Sequence, residues 1–187
     1  EYDIKQDALD NLINYLRKNG ILDNVENKMD FRYYSRFRRP IHFIAEYSSS
    51  HEDLVDMWDN IINSTVLIVG LGAVGSWVAC NLAQSGVGKL ILMDADTVDI
   101  SNLHRQFAYG ESDVGMLKTD VIERKLKEYN PDINIVKYNE FLNECNLQKF
   151  DDVNIDLIIN CADKPNVDTT SLWIGEYAMK RGITHII

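Results

Sequence analysis

The sequence predicts an α/β fold with a Rossmann-like, doubly wound and mostly parallel sheet, helices on both faces, and a helical or irregular N-terminal extension. Three observations support this prediction. Apolar, strand-like runs alternate with helix-like segments after residue 50. A glycine-rich segment joins the first predicted strand to the next helix. The chain has 187 residues, of which 45% are hydrophobic, and this is enough for one domain with a buried core.

The chain divides into two predicted regions, an N-terminal extension over residues 1–50 and a Rossmann-like domain over residues 51–187. In the extension, apolar spacing predicts a helix over 5–18 that ends at Asn19-Gly20, and residues 21–50 are expected to be irregular. Because the sequence does not open on Met and closes on a strand-like run, we expect a fragment that is truncated at its C-terminus.

Strands and helices alternate along the second region. This order predicts βαβ crossovers and a mostly parallel sheet that is covered on both faces. Ligands of such sheets bind at the carboxyl ends of the strands, near the point where the strand order reverses. The strands are predicted at 65–69, 89–93, 133–138, 155–160 and 183–187, and the helices at 51–62, 74–84, 118–129 and 167–181.

Charge and composition argue against several classes of protein. The net charge of −10 argues against a nucleic-acid partner, because nucleic-acid binding requires a basic surface. No apolar run is long enough to span a bilayer and no signal-peptide pattern opens the sequence, so we predict a cytoplasmic protein without a membrane partner. The cysteines Cys80, Cys145 and Cys161 form no C-x-x-C pair, so neither a disulfide framework nor a zinc site is expected.

A glycine loop, Gly70-Leu71-Gly72-Ala73-Val74-Gly75, lies directly between the first strand and its helix. Gly70 would permit the tight turn, Gly72 would let the backbone approach a phosphate, and Gly75 would let the helix pack close to the strand. The helix N-terminus offers free N–H groups and a positive dipole end to an anion. The loop therefore predicts a nucleotide site, with a merely tight turn as the alternative.

Asp94 follows the second predicted strand, about twenty residues after the loop. A carboxylate in that position can accept hydrogen bonds from ribose hydroxyls, although it could also cap a turn. Neither Asp94 nor the loop distinguishes ATP from NAD.

The segment after Asp94 differs from the helix that a plain dehydrogenase would have there. It reads DADTVDISNLHRQF over residues 94–107, and GMLK follows over 115–118. Cys161-Ala162-Asp163 comes directly after the fourth predicted strand. Together these motifs resemble the activating-enzyme superfamily of ThiF, MoeB, HesA and the ubiquitin-activating E1 enzymes. The resemblance covers roughly residues 64–187 and is specific because separated motifs occur in the same order.

The resemblance implies an ATP-dependent adenylyltransferase that activates a carboxylate and releases pyrophosphate, with ATP and Mg²⁺ as cofactors. Asn102 and Arg105 would contact the phosphates or the attacking carboxylate, and Gln106 would lie near the triphosphate. Lys118 would bind the β- and γ-phosphates as a point charge. Asp163 would bind Mg²⁺, a hard cation that prefers oxygen ligands. Positioned cations suffice for this step, so no covalent residue is required.

Simpler interpretations of these residues stay open at this point. Arg105 could be a surface ion-pair partner, Lys118 a solvated lysine and Asp163 a loop cap. Asp96 and Asp99 are interpreted as solvated or capping residues.

An arginine-rich and aromatic cluster, FRYYSRFRR over residues 31–39, precedes the domain. It could be a solvated basic surface. Its Tyr34-Ser35-Arg36 segment resembles the Y-x-R part of a motif in MoeB and ThiF, whose arginine reaches the ATP site of the partner subunit. The resemblance thus implies that Arg36 is an arginine finger in a homodimer, where a guanidinium suits phosphate oxygens.

The substrate is left open between two classes. Residues 15–22 resemble the end of the winged-helix peptide clamp in the microcin C7 biosynthetic enzymes, which implies a peptide substrate. A small ubiquitin-like sulfur carrier is the equal alternative, so the pathway could make a peptide natural product or a cofactor of the thiamine or molybdopterin type. The fate of the adenylate stays open, because no cysteine lies where the family places its thioester residue.

Two other classes of protein share parts of the pattern. An NAD(P)-dependent oxidoreductase would explain the glycine loop and Asp94, but not the S-N-L-x-R-Q segment or Lys118. A non-catalytic E1-like partner subunit would explain the fold, but it would not need Arg105, Lys118 and Asp163 together.

Overall fold

The computed structural model describes residues 5–19, 21, 22 and 31–187, and it confirms the predicted α/β fold class. Five strands form one parallel sheet in the order β3-β2-β1-β4-β5. The chain builds outward from β1 to β2 and β3, then crosses to the other side of β1 with β4 and β5. The strands are β1 Thr65–Val69, β2 Lys89–Met93, β3 Asn134–Tyr138, β4 Leu157–Asn160 and β5 Thr184–Ile186.

Helices connect the strands and cover both faces of the sheet. The described residues include the helices α1 Gln6–Lys18, α2 Phe31–Ala45, α3 His51–Asn63, α4 Ala73–Gln84, α5 Lys118–Tyr129 and α6 Val167–Arg181. Short 3-10 helices lie at Ile100–Asn102, Glu111–Asp113 and Asn146–Phe150. The predicted bounds of β1, β2, α5 and α6 are confirmed, and those of β3, β4 and β5 are one or two residues too long.

The core has two layers because successive strand side chains point to opposite faces of the sheet. Val66 and Ile68 of β1 pack with Leu90 of β2 against the α4 and α5 side. Leu67 and Val69 of β1 pack against the side that includes α6. Every residue of β1 is buried, as expected for a central parallel strand covered on both faces.

The prediction of an irregular segment over residues 21–50 was wrong for α2, which spans Phe31–Ala45. This helix is kinked at Phe37, close to Pro40, which lacks a backbone N–H and crowds the preceding turn. Phe37 and Ile41 are one helical turn apart and pack with Trp58 of α3, and all three are almost fully buried. Packing against α3 thus stabilises α2. The arginine-rich sequence of α2 does not indicate this packing, so the helix was not predicted.

The helix α1 confirms the prediction of a helix over 5–18 to within one residue. None of its residues is buried among the described part of the chain. Gly20, predicted to end this helix, lies outside the described residues. No helix in the described ranges is both long and apolar enough to cross a membrane.

Candidate functional site

A polar pocket of about 430 Å³ lies at the carboxyl ends of β1, β2 and β4. It lies beside the point where the strand order reverses between β1 and β4, which is where ligands of such sheets bind. The structure brings together in its lining eight of the ten residues that the sequence predicted for the site. These are Gly70, Gly72, Asp94, Asn102, Arg105, Gln106, Lys118 and Asp163.

The glycine loop fits its surroundings too tightly for larger residues at two positions. Gly70 has a φ of +87°, and a Cβ there would lie 2.7 Å from the backbone carbonyl of Cys161. A Cβ on Gly75 would lie 1.8 Å from the carbonyl oxygen of Gly70. Gly75 therefore allows the start of α4 to pack against the loop, and it does not line the pocket itself. Gly72 differs, because the nearest atom to an added Cβ is 4.0 Å away on Gln106. Gly72 therefore leaves open space on the pocket side.

Two side chains fix the peptide groups of Leu71 inside this loop. Asp94 Oδ2 accepts a hydrogen bond of 2.6 Å from the Leu71 N–H, and Asp94 Oδ1 accepts one of 2.7 Å from the Asp96 N–H. The Tyr109 hydroxyl donates a 2.6 Å bond to the Leu71 carbonyl. Burial, then the Asp94 carboxylate, raises the pKa of Tyr109, so the phenol stays a proton donor. Asp94 thus shapes the loop in addition to its predicted contact with ribose.

Lys118 is buried at the start of α5, with 5% of its surface exposed. This rules out the interpretation of Lys118 as a solvated lysine. Its Nζ lies 3.2 Å from Asp96 Oδ2, and its backbone N–H donates a 3.0 Å bond to the Asp96 carbonyl. A second lysine, Lys164, places its Nζ 2.9 Å from Asp96 Oδ1.

The interpretation of Asp96 as a solvated or capping residue was wrong, since its carboxylate joins these two lysines. Burial alone would raise the pKa of Asp96, but the hydrogen bonds and charges of Lys164 and Lys118 outweigh it and lower the pKa. Asp96 is therefore ionised at neutral pH. Asp99, in contrast, does cap the 3-10 helix Ile100–Asn102 through the Ser101 N–H, as predicted.

This 3-10 helix and the turn that follows it present three polar side chains to the pocket. Asn102 uses its Oδ1 to accept from the Asp99 N–H. Arg105 donates to the Ser101 carbonyl at 3.0 Å and forms no salt bridge within the described part of the chain, which argues against an ordinary surface ion pair. Gln106 is 4% exposed, and its Oε1 has no hydrogen-bond partner among the described residues. A buried acceptor without a partner is costly, so a ligand donor at Gln106 would be favourable.

The donor set around Asp163 fits a magnesium ion that arrives with phosphates. Asp163 is exposed at the pocket and forms no hydrogen bond or close ion pair with another described residue. The described residues hold no cluster of three or more His, Cys, Asp or Glu side chains that could bind a metal alone. Mg²⁺ commonly uses one or two carboxylates together with substrate phosphates. Asp163 is therefore a suitable ligand.

The charges in the lining also favour an additional cation. A polyphosphate would enter a pocket whose carboxylates outnumber its cations, so metal or arginine charge from elsewhere would have to offset the repulsion. The lining contains the carboxylates Asp94, Asp96, Glu140 and Asp163, and the cations Arg105, Lys118 and Lys164.

Arg36 is exposed on α2 and does not line the pocket of its own chain. The sequence also left several pocket residues unassigned. Two of them could have been predicted from their positions after strands, because the carboxyl ends of the strands share one edge of the sheet. Lys164 directly follows Asp163 after β4, and Phe141 follows β3. Tyr109 gave no signal, because its contact with Leu71 joins residues 38 positions apart.

The fold and this pocket define a Rossmann-like α/β protein with a glycine loop and a charged ligand pocket at its switch point. The ThiF family model matches residues 50–187, so the chain belongs to the ThiF family. The resemblance to activating enzymes that the sequence motifs predicted is confirmed.

Two relatives are similar over about half of this chain. It is 37% identical to tRNA threonylcarbamoyladenosine dehydratase of Bacillus subtilis over 105 residues, which is 56% of this chain and 41% of that protein. It is 42% identical to the adenylyltransferase and sulfurtransferase uba4 of Pyricularia oryzae over 104 residues, which is 54% of this chain and 21% of that protein. The chain thus spans less than half the length of these curated relatives.

Solved structures are similar over nearly the whole chain. PaaA matches with a TM-score of 0.76 and 25% identity, over 97% of this chain and 55% of that one. Escherichia coli MccB in complex with MccA-N7isoASN matches with a TM-score of 0.71 and 27% identity, over 98% of this chain and 51% of that one. MccB with ATP matches with a TM-score of 0.66 and 28% identity, over 98% and 52%.

Proposed function

We propose that this chain is the ATP-binding part of an adenylyltransferase that activates a carboxylate and releases pyrophosphate. One observation carries the proposal, namely that Arg105, Lys118 and Asp163 line the same pocket as the glycine loop. The ThiF family membership, the similarity to an adenylyltransferase and the structural similarity to MccB with ATP all support it.

The reaction joins two anionic reactants, so the residues act mainly by positioning and by offsetting charge. A carboxylate oxygen of the substrate attacks the α-phosphorus of ATP. The bond from that phosphorus to the oxygen that bridges to the β-phosphate breaks, and pyrophosphate leaves with the electron pair. The glycine-loop amides would face the phosphates, Asp94 the ribose, and Asn102 and Arg105 the reacting groups. Lys118 would stabilise the charge that develops on the leaving pyrophosphate.

Two further groups would assist this arrangement. Mg²⁺ held by Asp163 would offset charge on the phosphates. Gln106 would use its unpaired Oε1 to accept a hydrogen bond from the bound nucleotide or substrate.

A peptide with a free C-terminal carboxylate is our first choice of substrate, ahead of a small ubiquitin-like carrier. This choice rests on the N-terminal segment, in which residues 15–22 resemble the end of a peptide clamp. The MccB and PaaA structures match 97–98% of the chain, so the similarity includes this segment, whereas the ThiF model begins only at residue 50. The net charge of −10 disfavours a tRNA substrate, such as the name of the Bacillus relative indicates for that protein. A cytoplasmic location, where ATP is available, stays a prediction.

Substrate-dependent exchange of labelled pyrophosphate into ATP tests this function. We expect exchange with the cognate peptide and none with its C-terminal amide, because the amide lacks the attacking oxygen. Candidate peptides come from genes beside this one, and a carrier ending in Gly-Gly and a tRNA serve as the competing substrates. Thermal stabilisation by NAD(H) but not by ATP–Mg²⁺ would contradict the proposal, as would the absence of exchange with every class of substrate.

We also propose that Arg36 acts in the ATP site of a second copy of this chain. Its exposure and its absence from the pocket lining of its own chain support this placement. A guanidinium from a partner would add positive charge to a pocket in which carboxylates outnumber cations. Each dimer would then contain two composite sites.

Mixing two inactive variants tests the composite site. In an equal mixture of Arg36→Ala and Lys118→Ala chains, half of the dimers contain one chain of each variant. In such a dimer one site combines Lys118 of the first chain with Arg36 of the second and is therefore intact. We expect about a quarter of the wild-type exchange rate in an equal mixture after subunit exchange. A mixture that is as inactive as either variant alone would show that Arg36 does not act across subunits.

A further inference from the structure

We propose that Lys164 is a second lysine that binds the polyphosphate chain of the nucleotide, beside Lys118, and that Asp96 positions the two ammonium groups. This inference rests on the proposed binding of ATP. It assigns a role to a residue that follows the motif Cys161-Ala162-Asp163 and is not part of it.

Three separate parts of the fold bring these groups together. Asp96 follows β2, Lys118 opens α5 and Lys164 follows β4. The Nζ atoms of both lysines lie 3.2 Å from the same oxygen, Asp96 Oδ2. The two ammonium groups are therefore no farther apart than twice that distance. Adjacent phosphate groups of one polyphosphate can contact both at this spacing.

The start of the loop that carries Lys164 lies against the glycine loop. A Cβ on Gly70 would lie 2.7 Å from the carbonyl group of Cys161 and 2.8 Å from the nitrogen of Ala162. The loop after β4 thus packs directly on the loop that faces the phosphates. Only Ala162 and Asp163 separate Lys164 from Cys161.

Within a pocket lining whose carboxylates outnumber its cations, Lys118, Lys164 and Asp96 form a local group with an excess of positive charge that can contact an anionic ligand. Two ammonium groups repel each other at this distance, and the single Asp96 carboxylate offsets only one of them. The three residues together keep one positive charge.

Lys164 also has the freedom to leave Asp96 for a ligand, whereas Lys118 is fixed. The side chain of Lys164 is 56% exposed and that of Lys118 is 6% exposed. The Nζ of Lys164 lies 4.6 Å from the ring centroid of Phe141, which also lines the pocket. This cation–π contact keeps the ammonium group at the pocket when it is not bound to a phosphate.

The alternative to phosphate binding is a purely structural role for Lys164. Lys164 and Asp96 could form an ion pair that only joins the loops after β2 and β4. That role would not depend on the number of phosphates in the nucleotide, whereas a contact with the polyphosphate chain would. The dependence on phosphate number therefore distinguishes the two roles.

Affinities for AMP, ADP and ATP, measured by calorimetry at a fixed excess of magnesium chloride, test the inference on the full chain. Lys164→Met removes the charge but keeps an unbranched side chain over Phe141. We expect this variant to bind ATP about tenfold more weakly and AMP unchanged, with ADP in between. Lys164→Gln, which can still donate to Asp96, is a second neutral variant if the first unfolds, and the same order is expected.

Lys137→Met is the matched control. Lys137 also joins two carboxylates, Asp120 and Glu123, but none of the three lines the pocket. Its ATP affinity should equal that of the wild type. Unchanged ATP affinity in the Lys164 variants, or an equal loss for AMP and ATP, overturns the inference alone. A wild-type chain that binds none of the three nucleotides overturns the proposed function as well.

Discussion

We expect the Lys118→Ala substitution to reduce substrate-dependent ATP–pyrophosphate exchange by about 10² to 10³-fold, the usual effect of removing one preorganised electrostatic contact from an active site. Lys118 is almost fully buried at the pocket, so its charge is screened little by water. The loss should fall mainly on the rate at saturating substrate, because the leaving pyrophosphate gains charge in the transition state.

The fold should survive this change. The backbone N–H of residue 118 still donates to the Asp96 carbonyl, and the Asp96 carboxylate keeps its contact with Lys164. Lys180→Ala, an exposed lysine near the end of α6, is the control and should retain full exchange. Wild-type exchange in a correctly folded Lys118→Ala protein would remove this residue from the mechanism.

The Gly75→Ala substitution should destabilise the protein by about 3 kcal/mol, at the upper end of the usual cost of overpacking. The new Cβ would lie 1.8 Å from the Gly70 carbonyl oxygen and 3.2 Å from the Cys161 Cβ. Alanine favours a helix by only about 1 kcal/mol over glycine, which does not offset a clash with the backbone. The start of α4 must shift, and the melting temperature should fall by about 10 °C.

Gly72→Ala is the matched control for this prediction. Its Cβ would meet no atom closer than 4.0 Å, so we expect a loss of stability of at most about 1 kcal/mol. Because Gly72 faces the pocket, the same Cβ should nevertheless weaken ATP binding. Denaturant unfolding and ATP titration of both variants separate the two effects. A Gly75→Ala protein with wild-type stability would contradict the packing role.

The most regular elements were predictable because their signal is local. The strands β1 and β2 are continuous apolar runs, and the end of β1 is marked by the glycine loop. The predicted start of a strand was less accurate where the strand follows directly on a turn. Ile133, predicted to start β3, donates its N–H to the Asn130 carbonyl of the preceding turn and not to the sheet.

The helix α2 was missed for the opposite reason. Its stability comes from Phe37 and Ile41 packing on Trp58, which lies in another helix. A basic, aromatic sequence with an internal proline gives little helical signal when that partner is ignored.

The sequence by itself determined the order of helices and strands, the glycine loop after β1, and the polar residues that follow β2 and β4. It determined these because apolar periodicity and glycine position are properties of neighbouring residues. Only the tertiary structure decided that Asp96 joins Lys118 and Lys164, and that Tyr109 holds Leu71. These contacts span 22, 68 and 38 residues, so they depend on how the sheet brings separate loops to one edge.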